Sequence, residues 1–441
     1  MAKTENVDLS NAYEPTRNRG QKNKAVNLGS KSVLVYDKGQ FLHIARRLGR
    51  DFSKVYYYMA EEKPYPQMQT DLIGRGFEEF EVVDDFNKAV KKADMVVFPD
   101  VYNGGIPEDL HSRGIPVFGA LRSEEFETDR KKLRKMLELA KLPVPNAVFI
   151  KGLRKSQEYL KDKEDKFIKC SFYRGDFETY HYKNAFLASA WFRAKRSHLG
   201  IAAEEIELLI EDPIPSECEG GFDTYNLNGE LASNPTIGYE AKGTGYVSCA
   251  VEKLPDIFQK MHDKMKPAFK KFGCQTAYSS EVRITADGQA YYIDGTLRFG
   301  SPPSEVQCEH FESFSEDVWN LAHGILPTPR PAKKYGVQIN LSSQWYEDYP
   351  LPVQFPKELD QWVKLKNARK VADGYELIPN DADGYMGAVV AIGDDLDATI
   401  KECIERAEQV ECEDASFEVG CFDNIKKSIE AGKKFGILME A

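Results

Sequence analysis

The sequence predicts a protein of mixed α/β and α+β class, and three observations support this prediction. Short apolar runs alternate with helical stretches over residues 31–122, a pattern typical of a parallel sheet. Asp287-Gly288 lies between two alternating runs, which is the strongest short-range signal for an antiparallel hairpin. The segment 324–331 (GILPTPRP) indicates a linker before a last region that combines strands with an amphipathic helix.

Length, charge and cysteine usage narrow the function classes. The 441 residues indicate about two to four domains or subdomains, and the net charge of -11 argues against broad nucleic-acid binding. No apolar run reaches the length of a membrane span. The eight cysteines form no CxxC pair, which fits reduced thiols in a cytosol. We therefore expect a soluble cytoplasmic protein, a monomer or homodimer, that binds neither nucleic acid nor a membrane.

The N-terminal region begins with polar residues and continues as an α/β unit. Residues 1–30 lack periodicity and are predicted to be a mobile arm. Ligands of parallel sheets bind at the carboxyl ends of the strands, so the loop around Gly39 is expected to contact a substrate. Strands are predicted at 32–36, 54–60, 77–83, 94–99 and 115–119, and helices at 41–48, 86–93 and 107–113.

The middle and C-terminal regions mix both element types. A charged helix with an apolar stripe is predicted over 123–139, before the Pro-rich break at 141–145. Further helices are predicted at 185–195, 255–271, 314–322 and 396–410. Further strands are predicted at 147–151, 166–170, 207–211, 221–227, 336–341 and 387–392.

The hairpin between residues 278 and 303 shows an unusual charge pattern. A two-residue turn at Asp287-Gly288 would place Glu281 opposite Asp294. Directly opposed like charges destabilise a hairpin, so the pair indicates a hard cation such as Mg²⁺, with a solvated face of mixed charge as the alternative. The same register predicts an apolar face of Val282, Ile284, Tyr291 and Ile293, and a polar face of Glu281, Arg283, Tyr292, Asp294 and Thr296.

Two lysines are candidates for binding a phosphate. Lys169 ends an apolar run, where burial would require an anion such as a nucleotide phosphate; a lysine whose ammonium group reaches water is the alternative. Lys242 precedes Gly243 and Gly245, and glycines allow a close approach of backbone to a phosphate. An ordinary polar glycine loop is the alternative there.

In this order, the features resemble the ATP-grasp superfamily, and within it the phosphoribosylamine–glycine ligase family. The resemblance implies an ATP-grasp fold with an N-terminal Rossmann-like pre-grasp domain and a C-terminal α+β domain. The expected boundaries are a mobile arm over 1–30, a pre-grasp domain over 31–122, an ATP-grasp domain over 123–330 with a lid at about 147–215, and a C-terminal domain over 331–441.

The resemblance also implies a set of site residues. Residues 211–214 would form the adenine hinge, and Glu219 would hold the ribose hydroxyls, with Glu217 as a competing candidate. The expected ATP-binding residues are Arg130, Lys169, Arg174, Glu211, Asp212, Ile214, Glu219 and Lys242. The expected metal ligands are Glu281, Asp294 and Thr296, the expected catalytic residues are Arg298 and Lys242, and the expected substrate-binding residues are Gly39, His43, Arg283 and Gly300.

The chain departs from the family pattern at several positions. Thr296 replaces an asparagine, Arg130 replaces a lysine, and the loop after Lys169 has one glycine, where Arg174 is expected to replace backbone N–H groups. Of the family's phosphate loop, only Gly39 and His43 match. Because of these departures, two other functions are weighed beside the one that the resemblance implies.

The implied function is an ATP-dependent carboxylate–amine ligase that forms an acyl phosphate and releases ADP and phosphate. ATP and Mg²⁺ or Mn²⁺ are the expected cofactors, and a small carboxylate and an amine are the expected substrates. The alternatives are an authentic phosphoribosylamine–glycine ligase of purine synthesis and a nucleotide-binding protein that has lost turnover.

Overall fold

The computed structural model describes residues 26–60, 69–171, 179–380 and 385–439. The chain forms two compact units. Unit 1 is built from Met1–Ser123, Gly220–Ser280 and Thr296–Ala441, and unit 2 from Glu124–Glu219 and Glu281–Gly295. The predicted domain boundaries differ from this division, because residues 331–441 fall in the same unit as the N-terminal region; the boundaries themselves stay a prediction. No helix of the described segments is long and apolar enough to cross a membrane.

The first segment of unit 1 contains the predicted parallel sheet. Its elements are β1 (Ser32–Asp37), α1 (Leu42–Gly49), β2 (Lys54–Met59), β3 (Glu81–Val82), α2 (Phe86–Val90), β4 (Met95–Val97), α3 (Ile106–Ser112) and β5 (Val117–Phe118). All pairings are parallel, and the strand order is β3-β2-β1-β4-β5. The order reverses between β1 and β4, so their carboxyl ends form a topological switch point.

The apolar runs of this sheet fill a core. Leu34, Val96 and Phe98 pack with Leu110 and Val117, all nearly inaccessible to solvent. Of the strand predicted at 77–83, only Glu81–Val82 form β3. Phe77 and Phe80 are buried although they precede that strand. The predicted arm also ends before residue 30: Leu28–Ser30 form a 3₁₀ turn with Leu28 buried, while residues 1–25 lie outside the described segments.

Unit 2 carries the region predicted as the lid. Its elements are α4 (Glu125–Thr128), α5 (Arg130–Leu139), β6 (Ala147–Lys151), α6 (Leu153–Leu160), β7 (Lys166–Cys170), β8 (Thr179–Tyr182), α7 (Ala185–Leu199) and β9 (Glu207–Glu211). The strands form an antiparallel sheet in the order β6-β9-β7-β8. The single helix predicted over 123–139 is wrong, because Asp129 is extended and its carboxylate caps α5 by accepting from the amides of Lys131 and Lys132.

The two faces of the unit 2 sheet differ in chemistry, as the period of two requires. Ile168, Cys170, Leu208 and Ile210 lie in a core with residues of α6 and α7. The opposite face carries the alternate residues Phe167, Lys169, Leu209 and Glu211. Polar side chains are therefore placed on the face of the sheet that does not pack on these helices.

The remaining elements begin at β10 (Ser216–Leu227), which crosses from unit 2 into unit 1. They are β11 (Glu230–Leu231), β12 (Thr236–Ala241), β13 (Gly245–Ala250), α8 (Asp256–Phe272), β14 (Gln275–Thr285), β15 (Ala290–Thr296), α9 (Ser304–His310), α10 (Phe314–Ala322), β16 (Tyr335–Ser342), β17 (Leu351–Gln354), β18 (Val363–Leu365), β19 (Ala368–Val371), β20 (Gly374–Leu377), β21 (Tyr385–Gly393), α11 (Leu396–Ala407), β22 (Glu411–Cys412) and α12 (Cys421–Lys433).

Two further sheets arise from these strands. One follows the order β15-β14-β10-β12-β13-β16-β21-β18, with β11 paired to β10. The other, β19-β20-β17-β22, consists of strands of at most four residues and was not predicted, because such short runs give no clear period. The long strands β16 and β21 contain the two predicted C-terminal strands.

The hairpin of β14 and β15 exists, but the predicted register is wrong. The amide of Gly288 donates to the carbonyl of Thr285, and the amide of Thr285 donates to the carbonyl of Gln289. Gly288 has φ +81°, so the turn is a three-residue loop with a glycine bulge and not a two-residue turn. Thr285 therefore faces Gln289, whereas a two-residue turn would have placed Ala286 opposite Gln289.

The shifted register changes the two faces of the hairpin. Val282, Ile284 and Tyr292 are buried, whereas Tyr291 and Ile293 are half-buried, so the predicted apolar face is wrong for β15. In β15 the buried positions are Tyr292 and Gly295, which are three residues apart and so do not follow the strict period of two.

Candidate nucleotide and metal site

Nine of the predicted site residues that the structure describes lie in unit 2: Arg130, Lys169, Glu211, Asp212, Ile214, Glu219, Glu281, Arg283 and Asp294. All of these except Asp212 and Ile214 belong to one cluster of interacting charges. Two of the cations form ion pairs with predicted ligands of a nucleotide or a metal, and the third pairs with the predicted ribose ligand. Four carboxylates and three cations therefore meet in one unit although they come from separate parts of the sequence.

Lys169 and Glu211 are neighbours because of the strand register. In the pairing of β7 with β9, Lys169 lies opposite Leu209 and Phe167 lies opposite Glu211, so the two charged residues are diagonal on one face. The Lys169 Nζ lies 2.7 Å from the Glu211 Oε1, and the side chains are only 11% and 12% exposed. Lys169 thus has the anionic partner that its burial requires, and that partner is a carboxylate.

Arg130 and Asp294 form a second pair. Arg130 is the first residue of α5, is 4% exposed, and places its Nη1 2.9 Å from the Asp294 Oδ2. The backbone amide of Arg130 donates to the Ser171 hydroxyl at 3.1 Å. The other oxygen of Asp294 accepts from the amide of Gly295 at 3.0 Å. Both groups of this pair are therefore held by further bonds.

Glu281 lies in an electrostatic environment that disfavours its charge. Burial raises the pKa of Glu281 to about 7, and the carboxylates of Glu219 and Asp294 add to the rise, while Lys169 and Arg283 oppose it. Arg283 also pairs with Glu219, with its Nε 2.8 Å from the Oε2. A bound cation would relieve the repulsion at Glu281.

The carboxylates of Glu281 and Asp294 fit a metal ion whose remaining ligands are not protein side chains. Within the described residues, no group of three or more His, Cys, Asp and Glu side chains is arranged to hold a metal ion. Mg²⁺ commonly takes one or two protein carboxylates and fills the remaining positions with phosphate and water oxygens. Glu281 and Asp294 match that donor set, whereas a site built from protein ligands alone does not fit.

A small cavity in unit 2 lies beside these charges. Arg130, Arg134, Lys169 and Glu211 supply its polar wall. The apolar wall comes from Leu133, Leu137, Val144, Pro145, Leu209, Tyr292 and Ile293. Sequence analysis did not identify the apolar lining; the alternation of β9 could have indicated Leu209, which shares a face with Glu211. Apolar walls next to cations suit a flat base that carries phosphates.

Residues of the predicted adenine hinge form local bonds, and their role in binding a base stays a prediction. The Asp212 carboxylate accepts from the Lys166 ammonium at 2.7 Å, and its backbone amide donates to the Asn146 carbonyl at 2.9 Å. The carbonyl of Ile214 accepts from the amide of Ser216 at 2.8 Å. Glu217 is exposed. Arg174 lies outside the described residues, so its role stays a prediction.

Lys242, Thr296 and Arg298 belong to unit 1. Lys242 is exposed in the turn between β12 and β13, and Thr296 ends β15 half-buried. The Arg298 Nε lies 3.3 Å from the Asp100 Oδ1, and Asp100 follows β4 at the carboxyl edge of the parallel sheet. Asp100 directly follows the predicted strand 94–99 and was not among the predicted site residues.

The predicted substrate residues of unit 1 have structural constraints of their own. Gly39 has φ +92°, and a Cβ there would come within 2.0 Å of the Asn367 Oδ1. A Cβ on Gly300 would meet the carbonyl of Pro302 at 2.4 Å. His43 is 3% exposed, its Nε2 lies 2.9 Å from the Ser304 hydroxyl, and burial lowers its pKa. His43 therefore packs as an interior side chain, and a substrate contact for it stays a prediction.

Comparison with solved structures identifies the fold. The phosphoribosylamine–glycine ligase of Thermotoga maritima is 14% identical with a TM-score of 0.64, over 88% of this chain and 98% of that one. A biotin carboxylase domain of the Hydrogenobacter thermophilus 2-oxoglutarate carboxylase is 12% identical with a TM-score of 0.65, over 93% and 99%. The L-amino acid ligase of Bacillus licheniformis is 14% identical with a TM-score of 0.55, over 88% and 99%.

At sequence level, no family model and no curated protein matches the chain. The structural likeness nevertheless covers most of both chains in each comparison. The parallel sheet, the antiparallel sheet of unit 2 and the hairpin of β14 and β15 follow one another along the chain. The chain therefore has the ATP-grasp fold, with an N-terminal Rossmann-like sheet and a C-terminal α+β region.

Proposed function

We propose that this protein is an ATP-dependent ligase that joins a carboxylate to an amine and releases ADP and phosphate. The observation that supports this most is the charge cluster of unit 2, in which two buried cations pair with carboxylates beside Glu281. A nucleotide phosphate can replace a carboxylate on a cation, and a metal can occupy the carboxylate that is released. The cluster thus offers cations that can bind the phosphates of a metal–nucleotide complex and carboxylates that can bind its metal.

Nucleotide binding would proceed by an exchange of ion-pair partners. Phosphate oxygens would take the place of Glu211 on Lys169 and of Asp294 on Arg130. The base would lie against the apolar wall that includes Leu209 and Tyr292. Each buried cation would keep an anionic partner throughout, which avoids the cost of an unpaired buried charge.

Glu281 and Asp294, with Thr296, would hold Mg²⁺ or Mn²⁺. When bound, the metal would offset the charge on the phosphates during transfer. The Hydrogenobacter structure is a complex with magnesium ADP, ADP and bicarbonate, which supports a metal nucleotide in this fold. Thr296 offers a neutral hydroxyl oxygen, a weaker ligand than a carboxylate.

The proposed reaction needs no protein nucleophile. A substrate carboxylate oxygen attacks the γ-phosphorus and the bond to the β-phosphate oxygen breaks, so ADP leaves and an acyl phosphate forms. The amine nitrogen then attacks the acyl carbon, loses a proton, and phosphate departs. Lys242 and Arg298 would stabilise the negative charge that develops on the transferred phosphoryl and acyl oxygens.

Magnesium-dependent ADP release tests this function. Wild type and Asp294→Ala are assayed with pools of amino acids and small carboxylates, with Asp109→Asn, a surface carboxylate of α3, as the control. One pool should stimulate ADP release by wild type and the control, and the Asp294→Ala variant should lose it. Absence of ATP binding to wild type would refute the proposal.

Two alternatives are favoured by particular observations. The likeness to the Thermotoga ligase favours an authentic phosphoribosylamine–glycine ligase, whereas the carboxylate of Asp37 at the end of β1, next to Gly39, disfavours a phosphate there. Complementation of a purine auxotroph by this protein would identify an authentic phosphoribosylamine–glycine ligase, and failure to complement would favour a ligase with other substrates. Thr296 favours a nucleotide-binding protein without turnover, which would bind ATP but release no ADP with any pool.

A further inference from the structure

The ion pair between Asp100 and Arg298 in unit 1 has no role in the function proposed so far. Asp100 follows β4, one strand of the switch point, and Arg298 follows β15. The Arg298 Nε lies 3.3 Å from the Asp100 Oδ1, and the side chains are 18% and 6% exposed. Two segments almost 200 residues apart in sequence therefore bring opposite charges together where ligands of parallel sheets bind.

Both partners are anchored by their own backbone. The Asp100 Oδ1 accepts from the amide of Val101 at 2.8 Å, and the Asp100 carbonyl accepts from the Asn103 side-chain amide at 2.6 Å. The amide of Phe299 donates to the carbonyl of Pro99 at 3.0 Å. The segment after β15 is thus hydrogen-bonded to the segment after β4 beside the ion pair.

The guanidinium of Arg298 is held at two of its nitrogens. Its Nε pairs with Asp100, and its Nη1 donates to the Phe299 carbonyl at 3.0 Å. Contacts at two nitrogens of a planar group fix the plane of that group. A buried ion pair is weak evidence for stability, because desolvation of the two charges offsets much of their attraction. A role in orienting Arg298 is therefore the more informative interpretation.

We propose that Asp100 is a positioning residue for the ligase reaction, holding the Arg298 guanidinium in the orientation that stabilises the acyl phosphate. This inference rests on the proposed function. Asp100 itself need not contact substrate; it acts through Arg298. Displacement of a charged group by about 1 Å can cost roughly 100-fold in rate, so loss of the anchor should lower kcat.

The kinetic test compares Asp100→Asn, Asp100→Glu and Asp109→Asn in wild-type and Arg298→Ala backgrounds. Asp109 forms an exposed ion pair with Arg113 in the same unit and serves as the matched control. We expect Asp100→Asn to lower kcat about tenfold or more with KM for ATP within about twofold, and Asp100→Glu to restore part of the loss. In the Arg298→Ala background, Asp100→Asn should have no further effect, and an equal loss in both backgrounds would overturn the proposal.

A measurement that does not depend on turnover distinguishes this inference from the proposed function. The ¹⁵N–¹H signal of the Arg298 Nε, assigned by its loss in Arg298→Lys, should be protected from exchange in wild type and in Asp109→Asn. It should broaden or shift in Asp100→Asn, whose unfolding midpoint should stay close to that of wild type. An unchanged signal would show that Asp100 does not hold Arg298, whether or not any acceptor stimulates ADP release.

Discussion

At the scale of single residues, the candidate site is defined by which ion pairs its charges form. Arg130 and Lys169 are buried cations, and each is paired with a carboxylate that the resemblance assigned to a metal or a nucleotide. Pairing of this kind keeps charges neutralised in the absence of ligand. It also means that ligand binding competes with interactions already present, so single substitutions can strengthen one ligand while weakening another.

The Arg130–Asp294 pair leads to the first prediction. Arg130→Met removes the guanidinium that competes with a metal for Asp294, so we expect Mn²⁺ to bind about tenfold more tightly without nucleotide, because a charged hydrogen bond contributes about 1.5 kcal/mol or more. The paramagnetic resonance signal of free Mn²⁺ measures this binding. Arg134→Met removes another guanidinium of the same helix and cavity, one that pairs with Glu138, and should have no such effect. Unchanged Mn²⁺ affinity in Arg130→Met would show that Arg130 does not restrict metal binding.

Asp37 leads to a prediction about pH. Burial raises the pKa of Asp37 from 3.8 to about 6, although its Oδ2 accepts from the Tyr57 hydroxyl at 2.8 Å and the Phe41 amide at 2.9 Å. The folded protein therefore holds a proton that the unfolded chain releases, and the Asp37 contribution to the free energy of unfolding decreases as pH rises from 3.8 to about 6.

The difference between wild type and Asp37→Asn isolates this contribution. Urea unfolding between pH 4 and pH 7 should show the variant gaining stability relative to wild type as pH rises, because its side chain carries no charge at any pH. A difference that is constant with pH would contradict the assigned pKa.

At the scale of elements, the helix cap at Asp129 connects local sequence to the site. The Asp129 carboxylate accepts from the amides of Lys131 and Lys132 at 3.0 Å and 3.1 Å and thereby fixes the first turn of α5. Arg130 lies in that turn. The cap interrupts what the apolar period alone predicts as one continuous helix, and it sets the direction from which Arg130 reaches Asp294.

Removal of this cap should weaken both folding and nucleotide binding. Asp129→Ala should lower the free energy of unfolding by about 1 kcal/mol, whereas Asp129→Ser should retain most of it. Urea unfolding measures the stability, and a fluorescent ADP analogue measures nucleotide affinity, which should fall in the alanine variant and recover in the serine variant. Equal affinity for the ADP analogue in wild type, Asp129→Ala and Asp129→Ser would show that the helix cap does not affect nucleotide binding.

At the scale of the whole molecule, the chain builds two compact units, and the groups proposed for nucleotide phosphates lie mostly in unit 2. The parallel sheet of unit 1 contains none of the paired cations of that cluster. Ligand binding stabilises the segments that it contacts, so the two units should respond differently to a nucleotide.

Hydrogen exchange can test this division directly. Magnesium ADP should slow amide exchange in β7, β9 and the first turn of α5, whereas β2 and its neighbour β3 should exchange as before and serve as the internal control. Lys169→Met should abolish the protection. Protection confined to unit 1 would place the nucleotide elsewhere.

The sequence by itself determined the local elements and their order. The strands at 147–151, 166–170 and 207–211 and the helix at 314–322 form as predicted, because apolar period and flanking turn residues act over a few neighbours. The position of Lys169 in an apolar run and the two carboxylates Glu281 and Asp294 of the hairpin likewise marked candidate site residues in the sequence.

Only the tertiary structure decided which of those residues meet. The hairpin register depended on a bulge at Gly288 that an Asp-Gly pair does not distinguish from a two-residue turn, and one residue of shift exchanges the faces of a strand. The Lys169–Glu211, Arg130–Asp294 and Arg298–Asp100 pairs join segments 42, 164 and 198 residues apart in the numbering. Such contacts depend on strand order and helix caps, because an ion pair requires proximity in the folded structure and not proximity in the sequence.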